Sequence, residues 1–194
     1  MKKVVAIVAG YPESISSELI AKAWKKKQKY KNINIFIIGN FNLIQEQLSI
    51  LNIKTNIKKS VNLDYENLRK SLFVYDVPLN FKTPFRINNK SKAKYVVKCF
   101  EIAIKLSKLK KIHGFINCPV NKKDIFKSDQ GVTEFLARKS NILGKEAMII
   151  FNKKLSVSPI TTHIKVKQVS KNLTKKITNV FKSTLFKIGK NNSN

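Results

Sequence analysis

The sequence predicts an α/β fold, three-layered, with a largely parallel central sheet and crossover helices. Three observations lead there. Short apolar runs closed by glycine or proline alternate with longer segments whose apolar residues recur every three or four positions. The first run, residues 3–9, is apolar throughout and ends at Gly10, as in a strand buried on both faces. Strands separated by helical crossovers return in parallel, with room for an antiparallel strand.

Each element has its own reason. Residues 15–29 carry Ile15, Leu19, Ile20, Ala23 and Trp24 at helical spacing, with Ser14 as a candidate N-cap. Residues 33–38 form a second apolar run before Gly39, and 41–51 a helix faced by Leu43, Ile44, Gln47, Leu48 and Leu51. Residues 55–57 suggest a short strand; 61–70 carry no legible pattern. The run 72–77 ends at Pro78 and reads as a strand near a sheet edge, and Pro84 marks 83–89 as a loop. Residues 91–108 are the clearest helix, striped by Tyr95, Val96, Phe100, Ala103, Ile104 and Leu106, and lead into a strand at 114–117. Short helices near 122–127 and 133–140, strands near 147–151 and 156–161, and an amphipathic helix at 173–188 complete the pattern. No internal repeat or interdomain linker is visible in residues 1–188, and 189–194, GKNNSN, read as a C-cap and frayed tail.

Composition narrows the function classes. With 194 residues and 43% apolar content the chain can bury a core and is not disordered throughout. No apolar run is long enough to span a membrane. The opening MKKVVAIVAGYPES mimics a signal peptide, but its apolar run is too short and continues into a turn and a helix. Cys99 and Cys118 have no metal-ligand spacing and are too few for a disulfide framework, which points to a reducing, cytoplasmic setting.

The net charge of +28 raises nucleic acid as a partner. Its distribution argues against specific recognition. The arginines are Arg69, Arg86 and Arg138, and lysines are scattered through every segment. Arginine is the residue suited to bidentate phosphate and base contacts, whereas joint enrichment of Lys, Asn and Ile reflects an AT-rich coding sequence. The densest cluster, KKKQKYK at residues 25–31, falls at the end of the first helix, where cations complement the dipole.

The stretch 116–166 carries the chemistry-bearing residues: INCPVNKKDIF, GVTEFLARKS and LSVSPITTHIKV. Polar groups just past strand ends are where α/β proteins bind ligands. Thr133 at a helix start offers a hydroxyl beside free backbone N–H groups, which suits an anion, or it simply caps the helix. Lys122 can supply a cation or be a solvated lysine. His163 is a potential metal ligand, although one ligand holds no metal. His113 reads as a surface residue. No GxGxxG follows any strand, so an ordinary dinucleotide fingerprint is absent.

These blocks resemble the 4-hydroxythreonine-4-phosphate dehydrogenases of pyridoxal phosphate biosynthesis. The family pattern runs GPV.K, HTE, then TTH; this chain reads CPVNK from Cys118, VTEF from Val132 and TTHIKV from Thr161, and VVAIVAGYPESISSELI resembles the family's first strand and GEPAGIGPE loop. Order and spacing agree along nearly the whole chain. The resemblance implies an isocitrate/isopropylmalate dehydrogenase-like, two-lobed fold whose carboxy-terminal half is missing here. It implies an NAD-dependent oxidoreductase, using a divalent metal (Zn, Mg or Co), that oxidises and decarboxylates a phosphorylated small-molecule substrate and works as a homodimer. It also implies roles: Thr133 and Lys122 for substrate phosphate, and His163 as one of three metal histidines.

Departures from the family pattern are Tyr11, Ser14 and Ser16 in the first loop, Cys118 for glycine, and Val132 for histidine. Three readings follow: a truncated member that is inactive alone, a degenerate homologue serving as a non-catalytic partner subunit, and a basic nucleic-acid-associated protein.

Overall fold

The computed structural model describes residues 3–27, 32–60, 71–125, 131–152, 154–162 and 164–191. Two compact units, Met1–Lys127 and Ser128–Asn194, make up the chain.

Unit 1 is built on five parallel strands in the order β3-β4-β2-β1-β5: β1 (Lys3–Val8), β2 (Ile33–Gly39), β3 (Ile57–Ser60), β4 (Leu72–Asp76) and β5 (Gly114–Asn117). The run from Val4 to Ala9 is apolar because β1 lies between β2 and β5 and both faces of the sheet are covered. Successive side chains point to opposite faces. Ile7, Ala9, Ile35, Ile37, Leu72 and Val74 pack with Ile20 and Ala21 of α1 (Ser16–Lys27) and with Ile44 and Leu48 of α2 (Phe41–Ile50). On the other face Ala6, Val8, Phe36 and Ile38 are fully buried, and α3 (Asn89–Lys108) packs against β1 and β2. Helix, sheet, helix is the three-layer arrangement expected. Phe100 of α3 meets Phe115 of β5 edge-on, with centroids 6.4 Å apart.

Several boundaries differ from the sequence reading. β4 lies near an edge as expected, second from it; β3, two residues later than expected, is the edge strand, and its exposed Lys58 and Lys59 suit an unpaired rim. α3 begins two residues early because the Asn88 side chain accepts the N–H of Lys90 at 2.9 Å. His113 is exposed but structural: its Nδ1 accepts from Val4 N at 3.1 Å and its N–H donates to Val4 O at 2.8 Å, extending the β1–β5 pairing. The patternless stretch 61–70 and the end of the 25–31 lysine cluster lie outside the described residues. α4 (Lys122–Ile125) closes the unit.

Unit 2 contains α5 (Val132–Ser140), α6 (Val166–Asn172) and α7 (Lys175–Asn191). The two strands expected at 147–151 and 156–161 are not formed among the described residues; a single antiparallel bridge, Ile150 with Val157, stands in their place. Apolar runs become strands only where a neighbouring strand takes up their backbone hydrogen bonds. α6 was not anticipated, and α7 continues through Gly189 to Asn191 rather than stopping there. Phe135 and Ala137 of α5 are buried, whereas Ile150, Phe151, Leu155 and Val166 are exposed.

Candidate functional site

At the strand ends of unit 1 several polar side chains are spent on hydrogen bonds to loop backbone, and a few on one another. Gly10 takes φ +71°, and a Cβ there would lie 2.6 Å from Pro119 O, so the turn after β1 requires glycine on both counts. Ser14 and Ser16 avoid the left-handed region, so the absence of the family glycines brings no backbone strain. Instead the Ser14 hydroxyl donates to Tyr11 O at 2.7 Å and accepts the Ser16 N–H at 3.2 Å. Ser17 donates to Gln47, whose amide donates to Pro12 O and Pro84 O at 2.5 and 2.7 Å.

An ion pair completes this strapping. Glu13 accepts the Ile87 N–H at 2.6 Å and the Lys92 ammonium at 2.7 Å, and Lys92, only 4% exposed, sits 5.1 Å above the Tyr11 ring. Burial pushes the Glu13 carboxyl up, but the bonds from Lys92 and Ile87 outweigh it and hold the group below its ordinary range. Burial likewise pulls Lys92 down, and Glu13 and Tyr11 more than offset it, leaving the ammonium raised. At the ends of β2 and β4, Asn40 Oδ1 accepts Leu43 N at 2.9 Å, and Asp76 accepts Phe41 N at 2.8 Å and pairs with Lys59 at 2.8 Å. These groups are committed to holding loops.

Burial disfavours the thiolate of both cysteines. Burial drives the Cys99 thiol up to about 12, against a lowering bond from Tyr95, and the Cys118 thiol up to about 11, against one from Ser16.

Unit 2 holds the cavity that brings motif residues together. About 100 Å³ in volume, it is lined by Thr133 and Glu134 from α5, Glu146 and Met148 from the following segment, Pro159, Ile160 and Thr162 from the TTH block, and Phe181 of α7. That volume admits several waters at ~10–15 Å³ each or a small polyatomic ion. Thr133 does not cap α5. Gly131 occupies the N-cap with no side-chain bond, and the first helical bond is Phe135 N to Gly131 O. The Thr133 hydroxyl is therefore not spent on the cap, and the N–H groups of Val132, Thr133 and Glu134 have no partner within the helix.

The acids in this cavity were not recognised from sequence as site residues. Glu134 Oε2 and Glu146 Oε2 are both buried without a hydrogen-bond partner. Buried carboxylate oxygens left without a partner are groups that a hydrogen-bond donor or a cation entering the cavity would satisfy. Sequence offered no signal for them, since Glu134 has Arg138 four residues on and Glu146 follows Lys145, and each reads as an ordinary surface acid. Among the described residues no group of three His, Cys, Asp or Glu side chains is placed to hold a metal, so these residues alone do not make a metal site. His163, the expected ligand, lies outside the described residues. Lys122, exposed at the start of α4, belongs to unit 1. Among the described residues no helix is long and apolar enough to cross a membrane.

The parallel sheet with crossover helices makes unit 1 an α/β fold, and unit 2 carries a small cavity beside the start of α5. The family of pyridoxal phosphate biosynthetic protein PdxA matches residues 31–191, and the chain belongs to it. A 4-hydroxythreonine-4-phosphate dehydrogenase of Sulfurihydrogenibium sp. (strain YO3AOP1) is 33% identical over 177 residues, covering 88% of this chain and 53% of the relative. That of Aquifex aeolicus (strain VF5) is 33% identical over 174 residues, covering 87% and 52%. The crystal structure of a 4-hydroxythreonine-4-phosphate dehydrogenase from Burkholderia phymatum superimposes with a TM-score of 0.78 at 19% identity, over 91% of this chain and 55% of that one, and shows the fold. The chain spans about half the length of the curated relatives it matches.

Proposed function

We propose that this chain is the amino-terminal portion, residues 1–188 with a short tail, of a cytoplasmic, homodimeric dehydrogenase of pyridoxal phosphate biosynthesis. The substrate would be 4-phosphooxy-threonine, oxidised and decarboxylated to 3-amino-2-oxopropyl phosphate. The observation that supports this most is the meeting of Thr133 and Thr162, from two separate family motifs, in one cavity.

Thr133 and the N–H groups of the first turn of α5 would bind the substrate phosphate, with His163 as one metal ligand and Lys122 a further substrate contact on the resemblance alone. When bound, NAD supplies the hydride acceptor and the divalent metal the Lewis acidity for this class of reaction. The unpartnered carboxylates set a condition on the chain's own part. A phosphate bound beside Glu134 and Glu146 would be repelled by their carboxylates unless a cation accompanies it. A non-catalytic reading is favoured by the first loop, where Ser14 and Ser16 bond within the loop.

NADH absorbance, with and without chelator, separates the readings. The 194-residue chain alone is expected to give no turnover. Fused to the carboxy-terminal half of the Sulfurihydrogenibium relative it should produce NADH in a metal-dependent way, His163→Ala should abolish this, and Thr133→Ala should raise KM by about tenfold or more. A folded fusion that stays inactive supports the non-catalytic reading. Turnover by the short chain, or an unaffected His163→Ala fusion, would show that the metal site is misplaced.

A further inference from the structure

We propose that the groove between α3 and α4 binds a phosphate monoester carried on a flat apolar body, of aryl or nucleoside type. The groove belongs to unit 1 and shares no lining residue with the Thr133 cavity. Lys90, Ala93, Lys94 and Val97 fall at i, i+3, i+4 and i+7, and so form one stripe along α3. That stripe is opposite the face carrying Tyr95, Val96, Cys99 and Phe100, which is buried in the core. α4 packs along α3 and brings Lys123 and the buried Ile125 to the other wall.

The groove is open to solvent and about 590 Å³ in volume, within the range of small-molecule sites. Its chemistry is divided in two. Ala93, Val97 and Ile125 make an apolar floor, and the small Ala93 side chain leaves the space above it open. Lys90, Lys94 and Lys123 stand around it, and no acidic side chain lines the groove among the described residues. Three ammonium groups around one groove repel one another, and an anion between them relieves that repulsion. Lysine ammoniums are compact point charges suited to phosphate, and the first turn of α3 adds the positive end of a 20-residue helix. Charge around the rim and an apolar floor beneath it fit a monoester better than a free ion, which would leave the floor wet. They also fit it better than an acidic peptide, whose charges would run along the whole groove.

The test titrates the 194-residue chain with 1-naphthyl phosphate, AMP, inorganic phosphate and 1-naphthol at low and high salt, followed by fluorescence or calorimetry. Naphthyl phosphate should saturate and bind about tenfold tighter than either inorganic phosphate or naphthol. Competition by AMP would identify a nucleoside source, and its failure to compete an aryl one. The double variant Lys94→Gln/Lys123→Gln should weaken binding about tenfold, while Lys98→Gln/Lys105→Gln, which removes the same charge elsewhere on α3, should change it less than about twofold. Equal weakening by both pairs would show that binding follows net charge and would overturn the proposal. So would esters that bind no tighter than inorganic phosphate, or naphthol that binds as well as its phosphate.

Discussion

Units 1 and 2 use the same apolar vocabulary to different ends. In unit 1 the runs 4–9 and 33–38 sit inside a five-stranded ladder and are buried almost to the last side chain. In unit 2 the run MIIF, 148–151, has one bridge for company, and Phe151 is 77% exposed. Hydrophobicity alone therefore does not build a core; a strand contributes one only when a neighbour satisfies its backbone and a helix covers its face.

The largest break of that comparison is at its centre. Phe100→Ala, in the fully buried layer between sheet and α3, should cost about 3–5 kcal/mol in chemical denaturation. A cost under about 1 kcal/mol would mean that the unit 1 core is looser than its burial implies.

A second test addresses the strap over the first loop. Lys92→Met leaves Glu13 partly buried without its cation and should cost about 1.5–3 kcal/mol. The sign with pH follows from the two shifts. Glu13 is held below its ordinary 4.5, so its contribution is present above that pH and is lost as pH falls through the folded value. Lys92 is held above its ordinary 10.5, so its contribution is present below that pH and fades as pH rises through the folded value. Glu13→Gln should consequently flatten the acid limb of a stability profile. An acid limb unchanged from the wild type would show that the pair contributes nothing.

The smallest effect sharpens the contrast from the other side. Phe151→Ala should change stability by no more than about 0.5 kcal/mol, because there is little burial to lose. Amides of 146–160 should likewise exchange with solvent far faster than those of β1 and β2, measured by hydrogen–deuterium exchange. A large cost at Phe151, or protection equal to that of β1, would erase the distinction between the units.

Legibility in the sequence follows the same division. β1, β2, α2 and β5 were placed to within a residue because a continuous apolar run ending at Gly, or an amphipathic stripe, is dictated by burial on the spot. β3, IKKS, was displaced because an edge strand has little apolar signal. The strands at 147–151 and 156–161 were over-read because their pairing depends on neighbours that local pattern does not encode. α6 was missed because VKQVSKN buries nothing and so shows no stripe. In the candidate site, Thr133 was legible from its motif. Glu146 was not, since its exclusion from water arises only when α5, the TTH segment and Phe181 of α7 surround one cavity.

The pairing of β1 with β5 also has a consequence in time. Val5 lies opposite Gly114, and Lys3 opposite Ile33. At ~5–20 residues per second of synthesis, the partner on the β2 side follows within a few seconds, whereas the partner on the β5 side arrives after about 5–20 s. Through that interval one hydrogen-bonding edge of β1 has no partner strand. The order of emergence therefore leaves the β5 side of β1 open to pairing with another chain for longer than the β2 side.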